Sequence, residues 1–170
     1  MIKFFLNGFV LSVFGMGVVF AKPMINVQYW QAKNNVPVYF VSEPQLPMVD
    51  VAVVFRAGSA HDAKQYGVAG FVASMLDQGA GKQDAEAIAG SFDKVGAKFE
   101  TDVDEGMTVV SLRSLVSPTL RDPALNTFRL LLTKANFPQE ALARIRQQKL
   151  VELQAEAQSA PKRAYKAFIQ

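Results

Sequence analysis

Residues Val49 to Phe55, VDVAVVF, form a nearly continuous apolar run rich in β-branched side chains, and a breaker, RAGSAHD from Arg56 to Asp62, follows at once. A short apolar run bounded by turn residues reads as a central strand buried on both faces, so the chain must build a sheet and then cover it. The covering pieces come next. Phe71 and Met75 recur at helical spacing in GVAGFVASMLDQGAG, a helix that Gly79 to Gly81 would end. Asp84 can cap a second helix running through Ile88 and Phe92 to Val95, with Gly96 as its stop.

Lys98 to Val103 and Met107 to Leu115 then read as two strands joined by an acidic turn. Leu125, Phe128, Leu131 and Leu132 return to helical spacing, as do Leu142, Ile145, Leu150 and Leu153 after Pro138, which marks a helix start. Ahead of the apolar run, Ile25 to Gln31 and Val36 to Val41 flank the turn signal Asn34-Asn35, which predicts a hairpin with a largely buried second strand; Glu43 to Pro47 is a Pro-rich loop. The order β-β-β-α-α-β-β-α-α predicts an α+β domain with helices over a largely antiparallel sheet. A last start signal, Ser159-Ala-Pro161, opens a segment that reaches Gln170 without a cap, so a domain truncated at its C-terminus is expected.

With 50% hydrophobic and 19% charged residues, the 170-residue chain can bury one ordinary core and lacks the composition of disorder. The formal charge is +3, but Lys and Arg alternate with acids and form no stripe, which argues against nucleic acid as a partner. Lys3, the apolar run Phe4 to Phe20 and the ending Val19-Phe20-Ala21 predict a secretory signal over residues 1–21, cut after Ala21. A retained anchor is the competing reading. A span needs about 20 apolar residues, and this run is shorter and carries Asn7, Gly8, Gly15 and Gly17. No cysteine is present, so neither a disulfide framework nor a lipid-modified cysteine is available. The expectation is a domain over 22–170 that is periplasmic or otherwise exported, with no stable membrane span after signal cleavage.

The order of elements and four phrases within it resemble the N-terminal domain of the pitrilysin/insulinase-type zinc peptidases, the inverzincins. The phrases are FRAGSAHD, GVAGFVASMLDQGAG, DAEAIAGSFDKVGAKFETDVDEGMTVVSL and FPQEALARIRQQKLVEL, and the resemblance covers about residues 25 to 170. The family's motif is H-x-x-E-H, whose members at i, i+3 and i+4 share one helix face, so that two imidazoles grip zinc while the Glu reaches its bound water. Laid on this sequence, the His positions fall on Gly70 and Ser74 and the Glu position on Ala73. The later helix has Glu152 where the resemblance places a third ligand, but Ile145 stands where the family often has another acid. One carboxylate does not hold catalytic zinc, which normally has three protein ligands. No catalytic residue, cofactor or metal ligand is therefore expected.

Other candidates are weaker. His61 is the only histidine, and its neighbours Ser59 and Asp62 invite a Ser/His/Asp reading that residues two or three apart in a loop rarely satisfy. Glu100, Asp102, Asp104 and Glu105 could attract a cation, yet the first three alternate with Phe99, Thr101 and Val103 as a strand with one wet face should. Gly79-Ala80-Gly81 lacks the Lys-Ser/Thr ending of a phosphate loop.

The resemblance thus implies a noncatalytic homologue or subunit in a heterodimer, whose partner is a catalytic inverzincin chain carrying H-x-x-E-H and whose broad cavity would hold extended peptides by strand addition. A scaffold subunit outside any proteolytic complex and an inactive truncated gene product stay open as alternatives.

Overall fold

The computed structural model describes residues 25–169. The expected signal over 1–21 and its cleavage site lie outside the described residues. Within the described residues there are two units, one ending at Pro44 and one beginning at Gln45.

The first unit is a hairpin. Strand β1 (Val27–Gln31) pairs antiparallel with β2 (Pro37–Val41), and Asn34 and Asn35, both at positive φ, make the turn between them. Asn tolerates that left-handed backbone better than most side chains. The expected burial of the second strand is not found: only Val38 is half-buried in β2. Within the hairpin the aromatic rings pack on each other, Tyr29 against Tyr39 at 5.1 Å and Trp30 near Phe40 at 6.4 Å.

The second unit holds the core. Strands β3 (Met48–Phe55), β6 (Lys98–Val103) and β7 (Thr108–Leu115) form an antiparallel sheet in the order β3-β7-β6. The apolar run Val49 to Phe55 is not a central strand among the described residues. Among the described residues β3 is an edge strand paired only with β7, and it alternates, with Val49, Val51 and Val53 half-buried and Asp50, Ala52 and Val54 exposed. A side-chain period of two lets an edge strand bury one row while the other faces solvent.

Between β3 and β6 lie helix α1 (Val68–Met75), a two-residue ladder of β4 (Gly79–Ala80) with β5 (Gln83–Asp84), and helix α2 (Ala85–Asp93). The Asp84 cap is as expected, its carboxylate accepting from the Ala87 amide at 2.9 Å. Gly79 to Gly81 does not end α1, which stops at Met75. Gly79 and Ala80 are instead buried in β4, and Ala80 also bridges to Ala135.

Helices α3 (Pro118–Lys134), α4 (Gln139–Gln158) and α5 (Ala160–Ile169) complete the unit, the last arising from the Ser159-Ala-Pro161 signal. Ile88 and Phe92 of α2, Val110 and Leu112 of β7, and Ala124, Phe128 and Leu131 of α3 form the main core, with Phe99 stacked on Phe92. The α+β architecture with antiparallel strands under helices is the expected one. Among the described residues no helix is long and apolar enough to cross a membrane.

Candidate functional site

Helix α1 is placed by the loop that precedes it. Beyond Phe55, Gly58 is buried so tightly that an added Cβ would overlap the Met107 amide nitrogen and the Asp104 carbonyl. Ser59 and Ala60 donate their amides to the Asp104 and Glu105 carbonyls at 2.9 Å each, and the Thr108 hydroxyl donates to the Ala57 carbonyl at 2.8 Å. The loop is thereby clamped to the β6–β7 turn.

Asp62 then starts the helix. Its two carboxylate oxygens accept from the amides of Gly67 at 2.7 Å and Ala69 at 2.9 Å, two of the donors that a helix N-terminus leaves without partners. Gly67 sits at φ 92°, a backbone that glycine adopts without strain.

Gly70, Ala73 and Ser74, onto which the resemblance lays the motif, all lie on this helix. Gly70 and Ser74 are half-buried and Ala73 is 5% exposed. Ser74 Oγ donates to the Gly70 carbonyl at 2.8 Å, so the one polar side chain on the face satisfies the backbone one turn earlier. At Gly70 an added Cβ would meet nothing within 4 Å. One turn further, Met75 is buried against Ala141 and Ile145 of α4, with Phe71 and Leu142 beside them.

The helix that the resemblance assigns to the third ligand therefore does pack on α1, but through apolar side chains. Glu152 lies farther along α4, exposed and joined to Lys149 at 3.0 Å. The residues present do not fit zinc: the motif face offers a hydrogen, a methyl and one engaged hydroxyl, against the three ligands a catalytic ion normally needs. Among the described residues no three His, Cys, Asp or Glu side chains converge.

The remaining candidates are dispersed as well. His61 is exposed on a single turn over Ser59–His61, and Asp62 beside it is committed to the helix cap. Glu100 and Asp102 lie on the wet face of β6, where Glu100 pairs with Lys98, while Asp104 accepts the amides of Gly106 and Met107 at 2.7 Å and so closes the turn. Glu105 is exposed in that turn.

One pair has no local signal in the sequence. On the outer face of the sheet Arg113 grips Asp50 through Nε at 2.7 Å and Nη2 at 2.9 Å, two strands facing each other in register. That hydrogen bond to Arg113 holds the Asp50 carboxyl below its ordinary value. Because the folded value is lowered, the small stabilisation is present at neutral pH and fades as pH falls through the carboxylate range.

Residues 38–169 match the model of the family described as Insulinase, Peptidase family M16. A protein described as the non-peptidase homolog YmxG from Helicobacter pylori is 30% identical over 152 residues, which cover 89% of this chain and 34% of that protein. Among solved structures, a peptidase M16 inactive domain from Pseudomonas fluorescens is 38% identical with a TM-score of 0.80, over 83% of this chain and 34% of that one. The periplasmic protease PqqL from Escherichia coli, 17% identical with a TM-score of 0.75 over 86% of this chain and 17% of its own, shares the fold. The chain spans about a third of the length of the curated relative it matches.

Proposed function

We propose that this chain, which belongs to the insulinase family of peptidases, family M16, acts without catalysis of its own, as the noncatalytic partner of a chain that carries H-x-x-E-H. The observation that carries this reading is the Ser74 hydroxyl turned back onto the Gly70 carbonyl, with Ala73 buried between them. A helix face of this kind keeps its packing without burying an uncompensated imidazole or carboxylate, a costly alternative once the metal is lost. The inactive M16 domain and the non-peptidase homolog among its relatives support the noncatalytic part of this reading.

The partner's zinc site would perform the hydrolysis, and this chain would help enclose the peptide. Among the described residues β3 and β6 each pair on one side only, with β7, and their other edges would offer backbone groups to which an extended segment could add as a further strand. We place the protein outside the inner membrane, on the strength of the apolar run Phe4 to Phe20 that ends in Val19-Phe20-Ala21.

The test is to assay peptide cleavage by the purified protein, by a homologue from the same genome bearing H-x-x-E-H, and by the two together. Cleavage that rises only on mixing is the expected result. Cleavage by this protein alone overturns the reading.

A further inference from the structure

The hairpin of the first unit has two outer edges, and the bonding pattern tells them apart. Ala32 donates its amide to the Val36 carbonyl at 2.8 Å. In this antiparallel register the pairs Trp30–Val38 and Gln28–Phe40 therefore exchange hydrogen bonds, while Val27, Tyr29 and Gln31 on β1 and Val41, Tyr39 and Pro37 on β2 turn their backbone groups outward. Pro37 has no N–H, so the β2 edge lacks a donor at one end, and proline at such a place is one of the usual guards against further pairing.

The β1 edge carries no such guard. From Ile25 to Ala32 the sequence INVQYWQA holds no charge and no proline, and its register with β2 runs without a bulge. Among the described residues β1 pairs with β2 alone. Val27, Tyr29 and Trp30 are exposed, as are Tyr39 and Phe40 on β2. A two-stranded sheet is marginal in water, and further strands against an apolar face make it stable.

We propose that β1 pairs antiparallel with β1 of a second copy of this chain, across a two-fold axis at Tyr29, to give a four-stranded sheet. In that register Tyr29 lies opposite Tyr29 of the second copy and Val27 opposite its Gln31, so every outward amide of β1 meets an outward carbonyl. The strand is self-complementary in chemistry too. With no charge on it the axis brings no like charges together, and the Tyr29–Tyr39 contact extends into a row of rings along one face. A strand of 5 residues is about 17 Å long. It covers less than the ~800 Å² per partner of a stable interface, so the dimer is a reversible, micromolar one. Strand β1 belongs to the first unit and α1 to the second, and this pairing does not rest on the noncatalytic reading.

Sedimentation velocity of the purified protein over a concentration series should show a monomer–dimer equilibrium. Gln31→Pro, which removes an outward N–H and no bond to β2, should weaken it at least about tenfold, the worth of the lost hydrogen bonds, whereas Gln31→Ala should not. The sequence has no cysteine, so single thiols report the register. Opposed residues that exchange hydrogen bonds stand about 5.5 Å apart at Cα, within disulfide reach, whereas the two Val27 positions lie on opposite sides of the axis and more than about 7 Å apart. Tyr29→Cys should therefore crosslink on oxidation and Val27→Cys should not, with circular dichroism confirming that each variant folds like the parent. A monomer at every concentration, a dimer untouched by Gln31→Pro, or equal crosslinking at the two positions would overturn the proposal.

Discussion

Gly70, Ala73 and Ser74 sit within about one turn of α1, yet the surroundings treat them differently, and substitutions should expose the difference. Gly70 lies inside a helix with open space where a Cβ would go, so Gly70→Ala should raise stability by about 0.5–1 kcal/mol, the usual gain over glycine in a helix. Ala73 is buried, and Ala73→Glu would force an unpaired carboxylate into the packing, at a cost of several kcal/mol. Urea unfolding of the two variants checks both signs. At this scale helical spacing puts 70, 73 and 74 on one face, and the resemblance alone implies which side chains would stand there in a catalytic relative. It did not reveal that Asp62 caps α1, since the carboxylate reaches forward across five and seven residues of irregular loop. Nor did it reveal the Asp50–Arg113 pair, which depends on strand register.

Helices α1 and α4, the two that the resemblance assigns to the metal ligands, meet through the small cluster of Met75, Ala141 and Ile145. Ile145→Ala should therefore destabilise the fold by about 2–4 kcal/mol, as expected for truncating a buried aliphatic side chain, and denaturant unfolding measures it. Elements with strong periodicity or a cap were legible: β6 at Lys98–Val103, α2 behind Asp84, and the turn at Asn34-Asn35. The β4–β5 ladder was not, because two-residue strands have no period, and Gly79-Ala80-Gly81 has the same local signature as a helix terminus. The breadth of the apolar run Val49 to Phe55 also misled, since valines on both faces of an edge strand look like those of a central one.

Across the whole molecule, the α+β order could be read because each helix and strand carries its own apolar row, while pairing and register are long-range and appear only in the fold. Membership of the M16 family fixes the scaffold and leaves the activity to the side chains at the site. The proposed absence of catalysis rests on the α1 face, where Gly70, Ala73 and Ser74 supply no set of ligands that fits a catalytic cation. The most direct test is the metal content of the purified protein after dialysis against micromolar zinc. Far less than one zinc per chain is expected, unchanged when Glu152 is replaced by Gln. One zinc bound per chain and lost in Glu152→Gln would contradict it.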